Sequence, residues 1–234
     1  MKKILIPVFI LFIAGFSSCN FCTKGSGQVK TETRELSDIT KLQMDIDADV
    51  TIIRGKRSSV KITADENLLN LIETNSSGEK LRIESSHCYS ASSPVKIEVV
   101  VTDLRSVVLD GSGTIIIPDT IMTDNIKLEL NGSGEIKARL VAASIKSELA
   151  GSGDIVLEGS ANEQTLEITG SGNIKASQLP CNILDAEVTG SGDAYVYVIQ
   201  DMKAEITGSG TIHYKGKPSL KTEVNGSGKV EDDN

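Results

Sequence analysis

The chain of 234 residues carries 24 Lys and Arg against 32 Asp and Glu, a formal net charge of −8, with 39% apolar residues, 3% aromatic residues, 21 Gly and no Trp. That length allows one large domain or two small ones, and a 24% charged fraction is ordinary for a folded chain. The acidic balance excludes the basic stripe that nucleic acid requires. All four Phe (Phe9, Phe12, Phe16, Phe21) lie at the N-terminus, and the rest of the chain has only Tyr89, Tyr195, Tyr197 and Tyr214 as rings. A core without large rings must be filled by Ile, Val, Leu and Ala, which suits stacked aliphatic layers.

Lys2 and Lys3 precede an apolar run from Ile4 to Phe16, followed by Ser17, Ser18 and Cys19. The run is too short to span a bilayer, which takes about 20 residues. The three-part pattern reads as a secretory signal over residues 1–18. The small residues before Cys19 resemble a bacterial lipobox, although Phe16 stands where Leu is usual. Diacylation of Cys19 would supply the second chain that stable anchoring needs. Residues 19–35, with Gly25, Ser26 and Gly27, read as a flexible tether. Export permits disulfides, and a Cys88 to Cys181 bridge would leave Cys22 odd. No cysteine and histidine spacing fits zinc, so no metal and no cofactor is expected.

Residues 36–109 carry strand signals at Val50–Ile53, Val60–Thr63, Leu81–Glu84 and Val95–Val101. Ala64 to Glu73 is the one candidate helix, with Leu68, Leu69 and Ile72 on one face, suited to closing an end of the sheets. Ser85 to Ser93 reads as a surface loop. Adjacent residues of an extended chain point opposite ways, so His87 does not activate Cys88 as a nucleophile.

From residue 110 to 230, Gly-Ser-Gly recurs at 111, 132, 151, 170, 190, 208 and 226, at intervals of 18 to 21 residues. A sustained period near 19 marks stacked supersecondary units, each read as strand, Gly-Ser-Gly turn, strand and second turn. Two residues before the tripeptide stand Leu109, Leu130, Leu149, Ile168, Val188, Ile206 and Val224. Two residues after it stand Ile115, Ile136, Ile155, Ile174, Ala194, Ile212 and Val230. Alternate positions are mostly polar, the period of half-buried strands. The predicted fold is therefore all-β, a parallel β-helix-like solenoid with coils of about 19 residues, with residues 231–234 as a tail. An antiparallel sandwich with hairpins at Asn131-Gly132 and Asn225-Gly226 is the alternative, but it gives no reason for stacked identities.

Outward-facing positions carry a second regularity. Glu129, Glu148, Glu167, Glu187, Glu205 and Glu223 share one register, with Lys127, Lys146, Lys203 and Lys221 two residues earlier in four of the same coils. At a coil spacing of about 4.8 Å, neighbouring Glu charges repel by about 0.9 kcal/mol in water. The plain account of this ladder is a solvated face that blocks unwanted sheet pairing. The functional account is recruitment of divalent cations or a basic partner.

The stretch from Ile39 to Ile83 contains Asp49-Val50-Thr51-Ile52, the run Val60 to Leu69, and Leu81-Arg82-Ile83. Followed by Gly-Ser-Gly repeats, it resembles the putative auto-transporter adhesin head GIN domain family over about residues 36–230. The resemblance implies a right-handed β-helix-like solenoid in an exported or envelope protein of bacteria. It brings no catalytic residues.

The expected function is a non-enzymatic envelope lipoprotein, held to the membrane through its lipid anchor. The outer membrane is the expected address, with the periplasmic and surface faces both open. Its contact surface is expected after the turn, at Lys137, Arg139, Lys175, Tyr195, Tyr197, His213 and Lys215, facing a protein or glycan partner. A polysaccharide-active enzyme is the second reading, although no pair of acids stands out from the repeat. A structural role, with open solenoid ends forming homo-oligomers, is the third.

Overall fold

The computed structural model describes residues 22–234, so the predicted signal segment and Cys19 lie outside the described residues. Among these residues there is no helix, and the chain is a parallel β-solenoid. Each repeat is one nearly unbroken strand running from one Gly-Ser-Gly turn to the next, as in Thr114–Gly132, Glu135–Gly151, Asp154–Gly170, Asn173–Gly190 and Asp193–Gly208. The predicted second turn is a bend within this strand, visible where the register shifts between Ile117 and Ile121.

Parallel pairing is in register, so like residues stack. Leu109, Leu130, Leu149, Ile168, Val188, Ile206 and Val224 form one column, and Ile115, Ile136, Ile155, Ile174, Ala194, Ile212 and Val230 another. Interior members of both columns are at most 2% exposed. Two core columns contain a polar residue. Ser147, 0% exposed and with no hydrogen-bond partner for its hydroxyl among the described residues, stands between Leu128 and Leu166. Gln164 stands between Ile145 and Leu184, 2% exposed, and its amide has no hydrogen-bond partner among the described residues.

The turns show why the tripeptide recurs. The first Gly of each takes φ between +123° and +139°, the left-handed side that side chains avoid. Its carbonyl accepts hydrogen bonds from the Ser and second Gly N–H groups of the next coil, at 2.8 to 3.1 Å. This bond pair draws the turns into contact. A Cβ on the first Gly of any turn from Gly132 onward would lie 2.2 to 2.3 Å from the glycine oxygen below, and one on Gly134, Gly153, Gly172, Gly192 or Gly210 would lie 2.2 to 2.5 Å from its counterpart's oxygen.

The N-terminal coils do not follow sequence order. The strands Lys41–Asp45 and Asp49–Arg54 lie directly beneath Ser106–Gly111 and Thr114–Gly132. The later strands Lys80–Ser85 and Lys96–Val101 lie beneath those in turn. The stack closes with antiparallel strands: Ser59–Asp65 on Lys96–Val101, Val29–Glu35 on Ser59–Asp65, and Ile72–Ser77 on Lys80–Ser85.

Three expectations are corrected at this end. The predicted helix from Ala64 to Glu73 is a strand, a tight turn and a second strand. Leu68 N donates to Asp65 O at 2.8 Å and Leu71 N to Leu68 O at 2.9 Å. The expected closing role survives without the helix, since Leu68 and Leu69 are 0% and 7% exposed.

The described part of the predicted tether is bound rather than free. Val29–Glu35 pairs as a strand, and Thr23–Lys24 pairs with Tyr89–Ser90. Asp65, 1% exposed, accepts from Gly27 N, Ser92 N and Ser92 Oγ. The hydrogen bonds from Ser92 hold its carboxyl below the usual range.

The disulfide joins Cys22 to Cys88, not Cys88 to Cys181. Cys181 sits inside the repeat core in register with Val198, 0% exposed, and burial pushes its thiol up to about 12. Cys88 lies in the loop after Lys80–Ser85, at the capped end.

The turn contacts predict a graded response to alanine. Gly170→Ala places a Cβ 2.3 Å from the Gly151 oxygen at φ +127°, and a cost of at least about 2 kcal/mol in chemical denaturation is expected. Gly111→Ala has the same φ but meets nothing within 4 Å and should cost less. The exposed Ser171→Ala should stay within about 0.5 kcal/mol. Equal costs at Gly170 and Gly111 would contradict the stacking account.

Candidate binding face

The Glu ladder forms as expected on the face before the turn. Glu129, Glu148, Glu167, Glu187, Glu205 and Glu223 are successive register partners. Its charge is largely answered by the lysine column beside it. Lys127 Nζ lies 2.8 Å from Glu129 and 2.7 Å from Glu148, and Lys146 Nζ lies 2.7 Å from Glu148 and 3.0 Å from Glu167. Each lysine therefore bridges two coils and offsets the repulsion that in-register stacking imposes. The pattern lapses where Thr165 and Asp185 replace lysine. Lys203 is 2.8 Å from Glu205 and 3.6 Å from Asp185, and Glu187 has no ion pair among the described residues. Among the same residues no three His, Cys, Asp or Glu side chains converge as metal ligands.

Hydrogen bonds from Lys127 and Asn131 hold the Glu129 carboxyl below its ordinary value of 4.5. At Glu148 burial pushes the carboxyl up but is outweighed by Lys127 and Lys146, so it also lies low. Lys203 lowers Glu205 in the same way.

The face after the turn carries the other predicted residues. Ile116, Lys137, Val156, Lys175, Tyr195, His213 and Glu231 form one continuous column. In-register neighbours sit at the strand spacing, so the Tyr195 and His213 rings stack, with centroids 4.7 Å apart and planes 2° from parallel. Tyr197 pairs with Lys215, and Arg139 pairs with Glu158. Register shifts after Val156 and Lys175 separate these two groups, so the expected strip is one column and two flanking pairs.

Three of its four Lys and Arg side chains are ion-paired, and only Lys215 has no ion pair among the described residues. Lys137 lies 2.8 Å from Glu135, Arg139 2.7 Å from Glu158 and Lys175 2.8 Å from Asp154. His213 Nδ1 is 3.4 Å from Asp233 and 3.8 Å from Glu231. The face is a charge-paired surface with apolar and ring steps rather than a basic one.

Two shallow depressions open on it. One of about 370 Å³ is lined by Val156, Leu157, Glu158, Lys175, Gln178 and Tyr195, among others. A second of about 210 Å³ shares Val156 and Glu158 and adds Ile116, Pro118, Lys137 and Arg139. Ile116 and Val156 were missed in the sequence reading. The signal was present, because both fall at the same offset from Gly-Ser-Gly as Lys137 and Lys175.

A larger hollow of about 850 Å³ lies at the capped end, between Asp45–Asp49 and the loop from His87 to Val95. Tyr89 Oη donates to the Asp47 carbonyl at 2.7 Å, and burial pushes its hydroxyl up to about 12. Cys88 is committed to its disulfide there, so it is no nucleophile.

The low carboxyl values set a pH dependence. Groups whose folded pKa lies below the unfolded one add stability above about 4.5, and lose it as pH falls through the folded values. Melting temperature should be level near neutrality and fall below about pH 4.5. Lys146→Gln, which removes two half-exposed pairs, should cost less than about 1 kcal/mol at neutral pH and shrink the acid-induced drop. An identical acid drop in the variant would contradict the bridging role.

Comparison with known proteins agrees with this architecture. The structure of a putative adhesin from Bacteroides fragilis NCTC 9343 matches with TM-score 0.84 at 22% identity, over 89% of this chain and 99% of that one. A putative lipid binding protein from Parabacteroides distasonis ATCC 8503 matches with TM-score 0.77 at 25% identity, over 90% and 99%. A putative adhesin from the same strain matches with TM-score 0.73 at 24% identity, again over 90% and 99%. The comparison with curated proteins finds no match. The family described as putative auto-transporter adhesin, head GIN domain, matches residues 38–218, and this chain belongs to it.

Proposed function

We propose that this chain is a lipid-anchored, non-enzymatic protein of the bacterial envelope whose solenoid docks a protein or glycan partner on the face after the turn. The observation that carries the reading is the column Lys137, Val156, Lys175, Tyr195 and His213, with its stacked rings and two adjoining depressions. Flat, rigid, half-exposed rings beside paired charges suit an extended partner rather than an enclosed small molecule. The adhesin-like relatives support the same reading.

The disulfide supports export, since such bonds persist in oxidising compartments. It also bears on the anchor. Only Asn20 and Phe21 separate Cys19 from Cys22, and Cys22 is fixed to the capped end. A lipid on Cys19 would therefore hold that end within about 11 Å of the acylated residue.

One experiment tests both parts. Cells fed an alkyne fatty acid should label the native protein and not Cys19→Ser. In envelope extracts the protein with Tyr195→Ser and Tyr197→Ser should retain its label but capture its partner at least about tenfold more weakly. Labelling of Cys19→Ser contradicts the anchor, and undiminished capture by the tyrosine variant contradicts the docking face.

A further inference from the structure

The two ends of the solenoid are finished differently. At the N-terminal end the antiparallel strands and the Leu68–Leu69 turn close the core. At the other end the strand Ser219–Gly226 is exposed at every residue. Its inward-facing Leu220 and Val224 are 42% and 41% exposed, whereas their register partners one coil below, Met202 and Ile206, are 2% and 1% exposed. The outermost coil thus repeats the aliphatic pattern of the interior with nothing over it among the described residues. Stacked repeats need a polar outer cap at such a position, and the free edge offers a row of backbone donors and acceptors.

The sequence of this edge indicates what covers it. Ser219-Leu220-Lys221-Thr222-Glu223-Val224-Asn225 is symmetric in character about Thr222. Turned through a two-fold axis at Thr222, the strand meets its own copy antiparallel. Lys221 then faces Glu223 of the second copy, Leu220 faces Val224, and Ser219 faces Asn225. Interior coils stack Lys on Lys and Glu on Glu, as in Lys203 on Lys221 and Glu205 on Glu223. Only antiparallel pairing at the free edge sets opposite charges face to face while covering both apolar side chains. The second free edge, Lys229–Asp232, has the same pattern about Val230, with Lys229 and Glu231 on either side.

We propose that two copies of this chain pair end to end through the terminal coil, with Ser219–Gly226 of each antiparallel about Thr222. The contact is isologous, so it closes at a dimer. It uses neither Cys19 nor the column residues from Lys137 to His213, and stands independently of the proposed function. Cys22 lies at the opposite end of each stack. Where the anchored reading holds, the pair therefore joins copies on facing surfaces.

The test uses residues 20–234, which include the whole described fold, in size-exclusion chromatography with light scattering. The unsubstituted protein should be dimeric at micromolar concentration. Lys221→Glu alone and Glu223→Lys alone each set like charges opposite one another and should be monomeric with unchanged circular dichroism. An equimolar mixture of the two should restore a dimer, because every facing pair is then opposite in sign. Under oxidation Thr222→Cys should cross-link into a dimer, and Ser219→Cys should not. A monomer at every concentration, dimers of both charge variants alone, no recovery on mixing, or equal cross-linking at 219 and 222 would each overturn the proposal.

Discussion

The close approach of glycine to glycine at the turns is the contact on which the rest of the structure depends. Each turn donates two backbone hydrogen bonds to the carbonyl of the turn below, and the fit leaves no space for a Cβ between Gly132 and Gly151 or between Gly151 and Gly170. With the turns locked one on another, the residues flanking each turn are held in register, and the register shifts fall in the bends between turns. Side chains at one offset from the turn must then stack on their equivalents. The aliphatic columns make the core without large rings, because a column of Ile, Leu and Val fills a narrow coil layer by layer.

The same locking dictates the surface. Stacking puts Glu on Glu, which is unfavourable alone, and Lys127 and Lys146 resolve it by bridging successive coils. It also aligns Tyr195 over His213 and strings Ile116, Val156 and the lysines into one column. The candidate binding face is therefore a consequence of register: residues far apart in sequence become neighbours at one strand spacing.

Much of this was legible from the repeat. Periodicity exposed the coil length, the inward columns, the Glu ladder and part of the column on the face after the turn, because a repeat reports contacts between distant residues through their common offset. The N-terminal third lacks that repeat and was read less well. The strands Lys41–Asp45 and Lys80–Ser85 stack in an order unlike their order in the chain, and no local pattern announces such a crossing. The Ala64–Glu73 segment looks helical because Leu68, Leu69 and Ile72 share a helical spacing, yet Leu68 and Leu69 serve a turn that plugs the core and Ile72 begins a strand. The disulfide was misassigned because cysteine pairing depends on which loops meet. The tether was misread because its polar composition hides the buried carboxylate of Asp65 to which it is tied.

Spin labels on the turn serines test the in-register stack most directly, since Ser112, Ser152, Ser209 and Ser227 are exposed at the same position of the first, third, sixth and seventh turns. The labels should lie about 19 Å apart for Ser152 with Ser227, about 24 Å for Ser112 with Ser209 and about 29 Å for Ser112 with Ser227, at about 4.8 Å per coil. Separations that rise linearly with the number of intervening coils are the predicted result. Separations that do not increase with coil number would contradict the stacked solenoid.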